Sequence, residues 1–217
     1  MVGNLLIFGD SYSTYEGMIP EGYAVYYSKE GRGDPEYMVT KMELSDTWWM
    51  RFINATGAKL LQNNSWSGST LCYTGYSGDC SHTSSIIYRY RQLKEVGFFK
   101  ENKVDTILVF GGTNDSWANA PLGELRYDEV AEEELFSVLP AFCHFMKTLK
   151  EDIPGARIVF IANCDIKPEI ISGIKTAGEH FGIETVELQN VTKEHGHPNV
   201  KGMREIFEQV FDSFKEQ

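Results

Sequence analysis

The chain has 217 residues, 42% hydrophobic and 24% charged, and its 20 Lys+Arg against 31 Asp+Glu give a formal net charge of −11. These are globular values that exclude a disordered or fibrous chain, and the length is enough for one domain with a sizeable core. The acidic balance, without a Lys/Arg cluster, argues against nucleic acid or an anionic membrane as partner, because phosphates find no positive footprint; no apolar run approaches the roughly 18 residues of a membrane span.

Leu5–Phe8 is the first apolar run. It is too short for the core of a secretory signal and reads as a strand, so a cytoplasmic location is the default expectation. The run leads into Gly9-Asp10-Ser11-Tyr12-Ser13 and then into a long connection, about 12–44, that holds Tyr12, Tyr15, Tyr23, Tyr26, Tyr27 and Tyr37. These tyrosines either pack the insertion onto the domain or wall a substrate site. Ser45-Asp46 is a good N-cap for a helix through Trp48, Trp49 and Phe52 to Gly57; both tryptophans are expected in the core or an interface. A second strand, Lys59–Gln62, precedes Asn63-Asn64-Ser65-Trp66-Ser67-Gly68-Ser69-Thr70 and a Gly/Ser-rich loop at about 65–84. The next helix covers Ser85–Val96, with Arg89 and Arg91 on an expected solvated face.

Strand three, Thr106–Phe110, runs into Gly111-Gly112-Thr113-Asn114-Asp115. A long helix is predicted over Asp128–Glu151, where Leu135, Val138, Leu139, Phe142, Phe145 and Met146 recur at helical spacing. Strand Arg157–Ala162, helix Pro168–Phe181 and strand Glu184–Leu188 follow. Then come Glu194-His195-Gly196-His197-Pro198-Asn199 and a last helix from Val200 to the end.

Strands that alternate with helices predict an α/β fold: a three-layer α/β/α sandwich on a five-stranded parallel sheet, doubly wound and flavodoxin-like, in a single domain over 1–217. Ligands in such sheets bind beyond the carboxyl ends of the strands, where strand order reverses. The four polar clusters all follow strands, so they converge on one edge of the sheet. Together they offer a hydroxyl, an imidazole, an amide and backbone donors. A serine needs a positioned base to attack, a histidine titrates close to working pH, and an oxyanion needs preorganised N–H donors such as Asn114, Gly68 and Ser11 provide.

Four ordered blocks carry a resemblance: Gly9-Asp10-Ser11, Gly68, Gly112-Thr113-Asn114-Asp115 and His197-Pro198. In these the sequence resembles the SGNH hydrolases, also called GDSL-type esterases and lipases. The resemblance implies an enzyme: a serine hydrolase with Ser11 as nucleophile, His197 as base, and Ser11 N–H, Gly68 N–H and Asn114 as oxyanion hole. The family usually has Asp three residues before the catalytic His, where this chain has Glu194. Glu194 is therefore the expected orienting acid. Were it to face solvent, a backbone carbonyl could orient His197 and leave a Ser–His dyad. Asp10 and Asp115 are expected to be structural.

The expected substrate is a small acyl ester, acetyl above all, of a carbohydrate or similar polar alcohol, with Tyr12, Trp66, Tyr73 and Trp117 as candidate substrate-binding residues because each is near a catalytic block. Rivals on the same site are a lipid esterase, thioesterase or acyltransferase; a rival of another class is a non-catalytic ligand-binding protein on this scaffold. No cofactor is expected. His195 and His197 with Glu194 lack the further ligand a catalytic zinc would require, so no metal is expected either. Cys143 and Cys164 read as small core residues, and Cys72 and Cys80 as a loop disulfide only in an exported protein.

Overall fold

The computed structural model describes residues 2–33 and 38–215. Tyr37, one of the tyrosines of the first long connection, lies outside the described residues.

Five strands, β1 (Asn4–Gly9), β2 (Lys59–Ser65), β3 (Thr106–Phe110), β4 (Arg157–Ala162) and β5 (Glu184–Glu187), form one sheet in the order β5-β4-β3-β1-β2. Every neighbouring pair is parallel. The three central strands, β1, β3 and β4, are buried on both faces and are near-continuous apolar runs, as expected inside a parallel sheet, whereas the edge strands β2 and β5 carry polar residues. Successive side chains point to opposite faces, and this period divides the core. Leu6, Phe8, Ile107, Val109 and Phe160 lie on one side. There they meet α2 (Ile86–Glu95), α3 (Val138–Asp152) and α4 (Pro168–Phe181). Leu5, Ile7, Leu108, Phe110 and Ile161 lie on the other side, against α1 (Trp48–Thr56) and α5 (Val200–Ser213). Trp48, Trp49 and Phe52 are fully buried on that side. The result is the expected α/β/α sandwich in its flavodoxin-like order, whose switch point lies between β1 and β3.

The helix expected over Asp128–Glu151 is shorter. A 3-10 turn occupies Glu132–Phe136, Ser137 is extended, and α3 begins at Val138. Pro140 explains the start. A helix running from Asp128 would place it in the interior, where it removes a hydrogen bond and clashes with the preceding turn; in the observed helix it falls in the first turn, where both costs vanish. The first helix likewise starts later than Ser45-Asp46, with the Thr47 hydroxyl accepting from the Met50 N–H as N-cap.

Both long connections carry structure of their own. In the first, Met38–Lys41 pairs with Tyr27–Ser28 and with Arg32–Gly33. In the second, Thr74–Gly75 and Gly78–Asp79 form a hairpin that turns at Tyr76 and Ser77. Among the described residues, no helix is long and apolar enough to cross a membrane.

Candidate active site

Ser11 sits at the carboxyl end of β1 in a 3-10 turn over Ser11–Ser13, capped by Asp10, whose Oδ1 accepts the Tyr12 N–H at 3.0 Å. The turn is packed against β2: Gly9 leaves no room for a side chain, because a Cβ there would lie 2.6 Å from both Ser13 and the Ser65 hydroxyl. The Asn63 amide donates to the Ser13 carbonyl at 2.8 Å and holds the same turn from below. Asp10 is fully buried, and its desolvation pushes the carboxyl up to about 7 against the lowering pull of the Tyr12 N–H and the Thr113 hydroxyl.

His197 arrives from a two-residue hairpin, Lys193–Glu194 paired with His197–Pro198. Its turn residues His195 (φ 50°) and Gly196 (φ 79°) are both left-handed, the conformation such a tight hairpin favours. The Tyr12 hydroxyl donates to the Gly196 carbonyl at 2.6 Å, and the Tyr27 hydroxyl donates to the Pro198 carbonyl at 2.8 Å. The insertion and the nucleophile turn thus anchor the hairpin. The outcome is a contact of 2.9 Å between His197 Nε2 and Ser11 Oγ, across 186 residues of sequence. Tyr26 stacks on the imidazole with ring centroids 3.6 Å apart, and Trp117 meets it edge-on at 5.9 Å. Burial beneath these rings lowers the His197 pKa to about 4; the His195 carbonyl opposes that shift and the charge of Lys193 adds to it.

Glu194 does not take the position expected of it. Its Oε1 accepts from the Asn199 amide at 3.0 Å, while His197 Nδ1 faces the His195 carbonyl at 3.3 Å. The longer glutamate chain reaches outward to the residue that caps α5, and the tight turn folds the backbone oxygen of His195 back toward the ring instead.

The donor side is built from β2 and β3. Asn114, almost fully buried, belongs to a single helical turn, Thr113–Trp117, entered through Gly112 at φ 94°. Its Nδ2 donates to the Ser69 carbonyl at 2.9 Å, and its Oδ1 accepts from the Tyr76 hydroxyl at 2.8 Å. Gly68 needs its φ of 82°, although no atom would obstruct a Cβ there; the left-handed backbone, rather than space, selects glycine. Asp115, fully buried, accepts from the Leu71 and Cys72 N–H groups and fixes the start of the loop.

Arg89, expected on a solvated helix face, is fully buried. Its Nε donates to the Ser84 carbonyl at 2.9 Å and its Nη2 to the Gly9 carbonyl at 3.1 Å and the Ser69 hydroxyl at 3.0 Å; Nη1 bonds the Asn64 backbone and side-chain oxygens. The guanidinium ties the ends of β1 and β2 to both ends of the long loop. Desolvation lowers its pKa to about 10, which leaves it charged at neutral pH. Arg91 is the surface member of the pair, bridged to Glu132 at 2.6 Å.

The expected substrate wall divides by burial. Tyr12 and Tyr73 are both 0% exposed and cannot touch a substrate: Tyr12 packs edge-on against Phe110, and Tyr73 against Phe136. Trp117 is 39% exposed beside His197. Trp66 is half-buried and packs at a tilt against Tyr23, with ring centroids 4.4 Å apart. With Ser67, Gly68, Tyr76, Asp79 and Thr83, Trp66 lines a groove of about 510 Å³. Sequence reasoning passed over Tyr26 as one of many tyrosines and did not single out Tyr76. Neither has a sequence signal, because each reaches the site only through the fold of a long loop. The four cysteines are free thiols, and the described residues include no group of three His, Cys, Asp or Glu able to hold a metal ion.

Comparison with known proteins bears on the family and the fold. Residues 3–214 match the family model described as GDSL-like lipase/acylhydrolase. A candidate GDSL-like lipase from Bacteroides uniformis is 40% identical, with a TM-score of 0.86 over 99% of this chain and 96% of that one. Another, from Bacteroides ovatus, is 33% identical, with a TM-score of 0.87 over 99% and 98%. An acetyl xylan esterase from Butyrivibrio proteoclasticus shares the fold at 22% identity, with a TM-score of 0.61 over 98% of this chain and 63% of that one. No functionally curated protein matches the chain.

Proposed function

Because the chain belongs to the GDSL-like lipase/acylhydrolase family and is an ester hydrolase, we propose that it removes a small acyl group, acetyl above all, from a carbohydrate or similar polar alcohol through an acyl-enzyme at Ser11. One observation carries the reading: the hydrogen bond of 2.9 Å between His197 Nε2 and Ser11 Oγ. His197 removes the hydroxyl proton as Ser11 attacks the ester carbonyl, then delivers it to the departing alcohol. The tetrahedral oxyanion rests on the Ser11 and Gly68 N–H groups and on Asn114. Water, activated by the same imidazole, then releases the acid. His197 is oriented by the His195 carbonyl, so the pair acts as a dyad and Glu194 stands aside.

The polar alcohol is supported by the groove beside Gly68. Its walls include hydroxyls, glycine backbone, the Asp79 carboxylate, two aromatic rings, Ala24 and Cys80, with no Lys or Arg among the described lining residues. Such a surface suits a neutral polyol that packs on Trp66 and exchanges hydrogen bonds with the hydroxyls around it. The proposal includes the two long loops as parts of one domain that shape this groove. Acetylated glycosides and 4-nitrophenyl esters of increasing chain length test it: turnover of the former and a preference for acetate are expected, whereas hydrolysis of medium-chain esters with none of acetylated sugars would refute the substrate class. Labelling by a fluorophosphonate, lost in Ser11→Ala, tests the nucleophile.

A further inference from the structure

We propose that Tyr76 is a positioning residue of the oxyanion site, which fixes and polarises the Asn114 amide and links occupation of the groove to the chemical step. The inference rests on the site assignment above and extends it to a residue outside the family's motif blocks.

An asparagine amide offers two lone pairs on oxygen and two hydrogens on nitrogen. In Asn114 one hydrogen goes to the Ser69 carbonyl and the oxygen accepts from the Tyr76 phenol, which leaves one N–H for a reacting oxygen. The phenol is held as the donor. Burial of its inner half and the neighbouring carboxyls of Asp10 and Asp115 push its pKa up to about 12, so the proton stays on it. A donor on Oδ1 draws charge from the amide and strengthens the remaining N–H, since linked hydrogen bonds polarise one another. It also removes the freedom of the amide to rotate about its single anchor at Ser69.

Tyr76 is 57% exposed at the tip of its hairpin, so its placement gains little from core packing. The hairpin itself is fixed: the Cys80 N–H donates to the Tyr73 carbonyl at 2.9 Å, and the Thr74 hydroxyl donates to the Phe136 carbonyl at 2.7 Å. The ring also walls the groove that contains Gly68. An alcohol moiety seated there would cover the ring and hold the phenol on Asn114, and binding energy of that kind is expressed in kcat rather than in KM alone.

The test is a double-mutant cycle of Tyr76→Phe and Asn114→Ala with 4-nitrophenyl acetate, joined to a side-chain amide ¹⁵N–¹H spectrum. Tyr76→Phe alone is expected to lower kcat about 3- to 10-fold, as loss of one neutral hydrogen bond predicts, with KM and melting temperature unchanged. In the Asn114→Ala background the same change should have no further effect. The Asn114 amide signals, identified by their loss in Asn114→Ala, should shift in Tyr76→Phe whether or not the assay is active. An unaltered kcat, an equal loss in both backgrounds, or unmoved amide signals would overturn the inference. Full activity in Ser11→Ala would instead refute the site assignment itself, and the inference with it.

Discussion

As the proposed base, His197 is half-buried beneath Tyr26, and its expected chemistry follows from that. Sandwiched between Tyr26 and the nucleophile turn, the ring stays neutral until the pH falls to about 4. A neutral imidazole is the form that accepts the Ser11 proton, so kcat/KM should hold level from neutrality down through pH 5 and fall through about 4; a midpoint near 6.5 would show that the ring is solvated in the working enzyme. Ser11→Ala should lose on the order of 10⁴-fold or more in kcat, and Asn114→Ala about 10²- to 10³-fold, measured on the same acetate ester. Glu194→Gln separates dyad from triad. With its carboxylate on Asn199, kcat should stay within about threefold of wild type, whereas an orienting acid would cost about 10⁴-fold. Ser11, Gly68, Asn114 and His197 could be proposed from the sequence because they fall in the four motif blocks that resemble the family's. The partner of His197 Nδ1 could not, because a backbone carbonyl has no residue signature.

At the scale of elements, the site depends on how tightly β1, β2 and the loops after them are fastened. Gly9→Ala would drive a methyl group into Ser13 and Ser65, and overpacking of this kind costs about 1–3 kcal/mol, to be read as a lower urea midpoint together with lost activity. Arg89→Met would take the guanidinium donors from the Asn64 and Ser84 carbonyls, while the Gly9 carbonyl keeps the Trp66 N–H, and a loss of about 2 kcal/mol or more is expected. The sequence pattern marked all five strands and most helices, since runs of apolar residues and caps are local signals. It misplaced the start of α3 because helical periodicity continues through Glu132–Phe136, a 3-10 turn, and only Pro140 marks the boundary. It misjudged Arg89 for a related reason: an arginine on an amphipathic helix is usually solvated, and the acceptors that allow its burial lie on strands far away in sequence. The fate of the tyrosines was equally illegible, with Tyr12 and Tyr27 buried and Tyr26 laid on the imidazole.

Across the whole molecule, two groups at the site, the half-buried His197 and the buried Asp10, pull stability in opposite directions with pH. His197 titrates near 4 when folded and near 6.5 when free, so between these values the unfolded chain takes a proton that the native ring refuses; stability from this group is lost as pH falls through that window. Asp10 does the reverse. Its folded pKa of about 7 exceeds the free value of 3.8, so the native state keeps a proton that the unfolded chain gives up, and stability declines as pH rises from about 4 to 7. Asp10→Asn should therefore raise the melting temperature above pH 7 more than at pH 4, as calorimetry across that range would show; an equal gain at both would mean the carboxyl is not titrating in the fold.

The imidazole enters on a hairpin 186 residues after the hydroxyl it meets, and that hairpin is tied down by the nucleophile turn, the insertion and the cap of the last helix. During synthesis, every part of the oxyanion side can emerge and settle before the base exists. Ser11 therefore has no imidazole beside it until the Lys193–Pro198 hairpin docks against Tyr12 and Tyr27.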